Sequence, residues 1–289
     1  MKILIIGNGF IATSIIHRLI TEGHNLLVFS RTPREDIQCE QISGDIFDFE
    51  KFMEVLRRKP EIVIHTAWIT TPGLYKNDPS NYDYSKFTIN LAKYLAHSDI
   101  KHLIILGTCA EYGFQNGPSV AGLTQLSPNV LYSEQKVVAF NEIKALLRES
   151  SVRFTWARVF YPYGPKQDSR RLIPLLIQSL QNNKPIALAD TSSIYDWIST
   201  RDIASAICWV IENEVPFEVD IGTSIGFTNL DLLSIIENLL QLKHRTPPHR
   251  AHEIGLSEVF VVGKKSPLYE SGWLPKDTLH NGLEWVLSS

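Results

Sequence analysis

The chain opens on Lys2-Ile3-Leu4-Ile5-Ile6, a short apolar run rich in β-branched residues. It turns at once into Gly7-Asn8-Gly9-Phe10-Ile11-Ala12, after which Ile15, Ile16, Leu19 and Ile20 recur at helical spacing. A strand that enters a glycine turn and leaves as a helix is the first βα unit of a parallel sheet, and Gly-x-Gly-x-x-Ala in that setting is a dinucleotide-binding fingerprint. Gly7 allows the tight turn, Gly9 lets backbone approach a pyrophosphate, and Ala12 keeps helix and strand close. The helix N-terminus, with Asn8, Phe10 and Ile11 around it, then faces the phosphates.

The pattern continues as alternating strands and helices. Apolar runs predict strands at Leu26 to Phe29, Gln41 to Gly44, Glu61 to Thr66, Lys101 to Leu106 and Val152 to Val159, with a helix from Tyr82 to His97 between them. The fold class is therefore α/β, a doubly wound parallel sheet. Past Phe160, Tyr161-Pro162-Tyr163-Gly164-Pro165 breaks the alternation. We assign residues 1–159, with 195–222 returning, to a dinucleotide-binding domain, and 160–194 and 223–289 to a smaller α/β substrate lobe. In that lobe Tyr195 to Ser199 is expected as one strand, and Asp202 as the cap of a helix from Ile203 to Ile211.

Composition excludes several classes. The 289 residues are 44% hydrophobic and 20% charged, with 28 Lys plus Arg against 31 Asp plus Glu, a formal net charge of -3. That balance does not suit a nucleic-acid surface. Cys39, Cys109 and Cys208 are far apart and give neither a disulfide framework nor zinc spacing, which fits a reducing cytoplasm. No apolar stretch is long enough to span a bilayer. His244, His249 and His252 lie in a basic, proline-containing loop with no supporting carboxylate or thiol pattern, so no metal is expected. The oligomeric state is left open, a homodimer among the possibilities.

Within this frame some residues carry chemistry. Ser30-Arg31-Thr32 follow the second strand, where an acid would take the ribose hydroxyls of NAD and an arginine accommodates the 2′-phosphate of NADP; Arg31 argues for NADP, with NAD the alternative. Asp45 and Ile46, after the third strand, are placed to reach the adenine. His65 ends the fourth strand and Ala67 follows it where backbone passes near a cofactor, although a core histidine is the simpler reading of His65 itself. Thr108 falls at the carboxyl end of the fifth strand, where ligands bind in open parallel sheets. Leu131 to Leu147 reads as a helix, and in it Tyr132 and Lys136 share one face. A phenol of pKa about 10 is a poor acid or base at neutral pH, and an ammonium beside it lowers that value. The spacing alone is common. With the glycine loop and Thr108 it becomes a proton-delivery pair.

These residues, in this order, resemble the extended short-chain dehydrogenase/reductase family, in its NAD(P)-dependent nucleotide-sugar epimerase/dehydratase branch. The resemblance also takes in Asn90, Arg158 with Tyr163-Gly164-Pro165, Asp196-Trp197-Ile198 and Gly272-Trp273-Leu274-Pro275, and so covers nearly the whole chain. It implies that Thr108 bonds the substrate oxygen, that Tyr132 transfers the proton, and that Lys136 holds the nicotinamide ribose. It also implies that Asn90 belongs to the cofactor site and that Glu111, Arg158, Tyr163, Arg170 and Trp197 face a nucleoside-diphosphate sugar.

Departures narrow the chemistry. Dehydratases of the family resemble one another in an Asp-Glu pair after the Thr, and Cys109-Ala110 stand there; Cys109 is also out of register for an epimerase-reductase base. What remains is redox at a sugar carbon or 4-epimerisation. Arg31 and the Thr-Cys-Ala-Glu-Tyr-Gly stretch favour an NADPH-dependent reductase of a nucleoside-diphosphate 4-keto-6-deoxy sugar, with the 4-epimerase as the alternative. Tyr195 replaces an arginine with which many relatives grip the diphosphate, and Arg170, Arg171 and Lys265 are the candidates to take over. Two other classes stay open: a reductase of a non-nucleotide carbonyl, and a non-catalytic NADP-binding sensor.

Overall fold

In the computed structural model, residues 1–186, 188, 190–242 and 258–289 are described. Seven parallel strands form the central sheet in the order β10-β6-β5-β4-β1-β2-β3. They are β1 (Lys2–Ile6), β2 (Asn25–Ser30), β3 (Glu40–Ser43), β4 (Ile62–His65), β5 (His102–Thr108), β6 (Arg153–Val159) and β10 (Glu218–Ile221). The helices α1 (Phe10–Thr21), α2 (Phe49–Leu56), α3 (Asn81–Leu95), α4 (Leu131–Leu147) and α6 (Thr200–Glu212) cover its two faces. The inner strands β1, β2, β4 and β5 are largely apolar because both faces are buried, whereas the edge strand β3 is Glu-Gln-Ile-Ser and part-exposed, and the pleat sorts the side chains. Along β1, Ile3 and Ile5 join the core under α1 and α6, while Leu4 and Ile6 join the core under α2, α3 and α4.

The remaining elements build a lobe beyond the carboxyl end of β6. Strands β7 (Tyr161–Tyr163) and β9 (Trp197–Ser199) pair in parallel, while β8 (Ile194–Tyr195) lies between β11 (Phe227–Thr228) and β12 (Val259–Phe260). A third apolar core joins α5 (Leu172–Gln181), α7 (Asn229–Leu239) and α9 (Leu279–Leu287), and α8 (Pro267–Glu270) abuts β10.

Two local expectations are corrected here. Tyr195 to Ser199 is not one strand. Asp196 interrupts it: its buried carboxylate accepts hydrogen bonds from the backbone of Thr223, Ser224 and Val262 and from the Thr223 hydroxyl, so β8 and β9 go to different sheets. Nor does Asp202 cap α6. Ser199 does, through its hydroxyl on the Asp202 N–H, and the Asp202 carboxylate instead accepts from the N–H groups of Lys276 and Asp277, tying the C-terminal segment to the helix. The loop bearing His244, His249 and His252 lies outside the described residues. Among the described residues no helix is long and apolar enough to cross a membrane.

Candidate active site

The glycine turn has the shape a phosphate needs. Gly7 sits at φ +101°, and a Cβ there would come within 2.7 Å of the Thr66 Oγ1 and 3.1 Å of the Ala67 nitrogen, so the loop after β4 closes on it. Gly9 precedes α1 with no side-chain cap and no acid in the first turn, and a Cβ there would meet nothing within 4 Å. The first N–H groups of α1 therefore lack a side-chain acceptor and face open space, which fits a pyrophosphate. Gly9→Val should accordingly leave the thermal midpoint nearly unchanged while weakening dinucleotide binding at least tenfold, whereas Gly7→Ala should lower the midpoint through strain at positive φ. Calorimetry and cofactor titration of the two variants separate these effects.

Around this turn, Phe10 and Ile11 are half-buried, Asn8 donates its Nδ2 to the Thr32 carbonyl at 2.7 Å, and Ser30 is buried with its hydroxyl on the same carbonyl at 3.2 Å. Arg31 is exposed at the rim. Arg34, which the sequence reading passed over, lies closer: its Nη1 reaches Thr13 Oγ1 at 3.1 Å and the Asn8 carbonyl at 3.4 Å, while Nε and Nη2 hold Asp36 at 2.9 and 2.6 Å. Arg34, with Lys166 at 3.4 Å, holds the Asp36 carboxyl well below the usual range. Asp45 is exposed and accepts from the Phe47 N–H, with Ile46 buried beside it.

His65 is a core residue, while Asn90 shares a groove with Ile46. The His65 ring is buried in the core, its Nε2 at 2.9 Å from Thr88 Oγ1 and its face against Phe87, and burial, then the neighbouring Lys136, pushes its pKa down to about 3. Only its backbone, at the end of β4, remains near the turn. Asn90 is exposed on the outer side of α3, in a groove with Phe47 and Phe87. The inward positions of α3 are Asn81, Ser85 and Thr88, at helical spacing, and Asn90 falls off that stripe. Ser85 instead donates its hydroxyl to the Gln135 carbonyl of α4 at 3.1 Å.

Thr108 is the last residue of β5. Its N–H donates to Glu111 Oε1 at 2.8 Å and its hydroxyl accepts from the Ala110 N–H at 3.3 Å, capping the short 3-10 turn Cys109–Tyr112. Since the hydroxyl accepts there, its own proton stays available to donate. Tyr132 sits in the first turn of α4, its N–H on the Lys76 carbonyl at 2.9 Å, with the rings of Tyr75 and Trp68 edge-on at 4.9 and 6.4 Å. Burial, with Tyr75 adding to it, pushes the Tyr132 phenol up, and the neighbouring Thr108 hydroxyl draws it part of the way back. The Lys136 ammonium, expected to lower the phenol, lies 5.5 Å from the Tyr132 ring centre and bonds the Leu106 carbonyl instead. Lys136, one turn on, is buried; its Nζ donates to the Leu106 carbonyl at 2.7 Å, and burial lowers its pKa to about 8 against the pull of Glu111.

Most of the expected substrate residues serve as a floor beneath this centre. Glu111 is 0% exposed and accepts from Trp156 Nε1 at 2.9 Å and Arg158 Nε at 2.6 Å. Arg158, also 0% exposed, gives its Nη1 to Glu218 at 2.7 Å and lies between the rings of Tyr112 and Phe140. Neither faces a cleft. Tyr163 is buried against α9, where Gly282 leaves no room for a Cβ beside its hydroxyl, and Trp197 is buried in the third core. Arg170 is exposed and doubly bonded to Asp168 at 2.9 and 2.7 Å. Arg171 is the cation that comes to the centre: Nη2 donates to the Thr70 carbonyl at 2.6 Å and its guanidinium lies 5.2 Å from the Tyr75 ring. Cys109 is buried, which with nearby carboxylates pushes its thiol far up. Trp68 and Tyr75 were missed because the loop between β4 and α3 has no period to read.

The profile of the NAD dependent epimerase/dehydratase family matches residues 3–222. The chain belongs to that family. As a member of this extended short-chain dehydrogenase/reductase branch it is an NAD(P)-dependent, oxidoreductase-type enzyme. Among its relatives, a putative UDP-glucose 4-epimerase of Methanocaldococcus jannaschii is 24% identical over 98% of this chain and 95% of its own. A dTDP-glucose 4,6-dehydratase of Mycobacterium tuberculosis is 23% identical over 99% and 93%. The fold is shared with dTDP-glucose 4,6-dehydratase of Bacillus anthracis in complex with NAD, at TM-score 0.84 and 23% identity over 100% of this chain and 96% of that one. It is shared likewise with Thermus thermophilus UDP-glucose 4-epimerase in complex with NAD, at 0.85 and 19% over 100% and 98%. The glycine turn after β1 and Thr108 at the end of β5 lie at the carboxyl ends of interior strands, with Tyr132 and Lys136 on α4 and Cys109 and Ala110 following the Thr.

Proposed function

We propose that this family member is an NADPH-dependent reductase of a nucleoside-diphosphate 4-keto-6-deoxy sugar. The observation that carries the reading is that, among the described residues, Tyr132 beside Thr108 is the acid at this centre, its phenol pushed up by burial, and Cys109-Ala110 follow the Thr. Ala110 and the buried thiol of Cys109 cannot supply the acid and base that elimination of water needs. A nicotinamide cofactor, when bound, supplies the hydride. Gly7, Gly9 and the first turn of α1 take its pyrophosphate, and Lys136 holds its ribose. As negative charge builds on the carbonyl oxygen, Tyr132 delivers its proton and Thr108 donates a hydrogen bond. Arg171, at the mouth of this centre, is suited to the sugar nucleotide's diphosphate.

Arg31 supports NADPH over NADH. It stands exposed at the rim while Arg34, three residues on, is engaged with Asp36 and Thr13. Charge-assisted bonds to a 2′-phosphate contribute about 1.5–3 kcal/mol, so Arg31→Ala should cost roughly ten- to a hundredfold in NADPH affinity and little in NADH affinity. Fluorescence titration of both cofactors checks this, and an equal loss for both removes the assignment. The function itself is tested by NADPH oxidation against a panel of nucleoside-diphosphate 4-keto-6-deoxy sugars. The named activities of the relatives favour 4-epimerisation as the second reading. It would appear as retained NAD and interconversion of two sugar nucleotides without net NADPH oxidation.

A further inference from the structure

We propose that Trp68 is a positioning residue for Lys136, its indole face holding the ammonium charged and fixed for the cofactor. The inference rests on the reading of Lys136 as the cofactor-holding lysine. The Nζ lies 4.1 Å from the centre of the Trp68 ring, well inside cation–π range, compared with 5.5 and 5.9 Å from the rings of Tyr132 and Trp156. A buried ammonium needs compensation for the water it has lost. Among the described residues its hydrogen-bond acceptor is a neutral one, the Leu106 carbonyl at 2.7 Å. An ammonium has three donors. The carbonyl takes one and the ring face a second, leaving the third for a ligand.

The indole is held for this purpose. Its Nε1 donates to Asn81 Oδ1 at 2.7 Å, and Asn81 is 0% exposed, with its own Nδ2 on the carbonyls of Tyr75 and Asp78 at 2.8 Å each. Tyr84 stacks on the indole at 5.8 Å and 25°. The loop between β4 and α3 is thus folded around Trp68 and presents its face to α4. The titratable groups acting on Lys136 from the packed elements are Glu111 of the 3-10 turn, His65 of β4 and Tyr132 of its own helix. Glu111 favours the ammonium, whereas neutral His65 and protonated Tyr132 carry no charge to offset it. Burial holds Lys136 at about 8, so its charge is lost within the working range unless the ring supports it.

The test follows the midpoint of Lys136 in two ways: its side-chain carbon resonance in the ligand-free protein, and the NADPH dissociation constant from pH 6 to 9. The variants are Trp68→Leu, Trp68→Phe, and tryptophans of increasing fluorination placed at position 68, which keep the ring shape while draining its face. Removing a partner of the charged form lowers the midpoint. Trp68→Leu should lower it by about one pH unit, with Trp68→Phe close to the parent and the fluorinated series falling in order. NADPH affinity should then match the parent at pH 6 and be severalfold weaker at pH 8. A midpoint the same in the parent, Trp68→Leu and the fluorinated proteins overturns the proposal, as does an affinity loss equal at all pH values, which is what lost packing alone would produce. Should Trp68→Leu fail to fold, the fluorinated series decides. A parent that binds neither NADPH nor NADH defeats the cofactor assignment, while the resonance midpoint still decides the role of Trp68.

Discussion

Tyr132→Phe should lower turnover by about 10²–10⁴-fold while leaving NADPH affinity close to the parent's. The ring makes its edge contacts with Tyr75 and Trp68 whether or not it carries a hydroxyl, so the helix start and the loop over it keep their packing. What goes is the proton. Burial keeps the phenol protonated in the ligand-free protein, the state a reductase needs when charge builds on the carbonyl oxygen. Lys136→Ala should damage turnover and cofactor binding together, because it removes the ammonium and leaves Trp68 and the Leu106 carbonyl facing a void. Thr108→Ala should cost about 10²-fold, one hydrogen-bond donor's share. Single-turnover rates beside cofactor affinities for the three variants check the assignment. A Tyr132→Phe protein reacting at the parent rate would assign the pair to packing.

Glu111→Ala should destabilise the fold by about 3–5 kcal/mol, with little change in the sugar nucleotide's KM for whatever protein remains folded. The carboxylate neutralises a fully buried Arg158, accepts from Trp156 Nε1 and caps the turn through the Thr108 N–H. Its removal leaves a guanidinium facing Glu218 alone and an indole N–H without its acceptor. Glu111→Gln, which keeps the acceptor oxygen but not the charge, should fall between. Denaturant unfolding of both variants is the measurement. A raised KM at unchanged stability would return Glu111 to the substrate.

The fold was legible because its signals are local and periodic. Each central strand up to β6 is an apolar run within a residue or two of its bounds, and Gly7-x-Gly9-x-x-Ala12 states in six residues how β1 meets α1. The positions of the candidate centre were legible for the same reason, since Tyr132 and Lys136 lie one turn apart on α4 and Thr108 ends β5. The substrate residues were not. Arg158 and Glu111 look like ligand-binding charges in one dimension, and only the folded structure shows that they pair with each other, with Glu218 as the second carboxylate on Arg158. Trp68, Tyr75 and Arg171 were underweighted because loops and rim residues carry no period, and what they touch is decided by tertiary contact. The expectation that Lys136 would lower the Tyr132 phenol left out burial, which is invisible in sequence and pushes the phenol up.

The position of β10 bears on how the protein is made. Arg158 on β6 receives its second carboxylate from Glu218, 60 residues later, after the chain has run through β7, α5, β8, β9 and α6. During synthesis the nascent chain therefore carries, for the length of that excursion, a sheet whose last strand has an unpaired edge and an arginine held by Glu111 without its second carboxylate. Docking of β10 pairs the edge and brings Glu218 onto Arg158 in one event. Closing so long a loop costs little more at equilibrium than closing a shorter one, but it makes this the slow, late step. Thr108, set above that floor on the neighbouring strand, acquires its final support only when the far side of the excursion has come home.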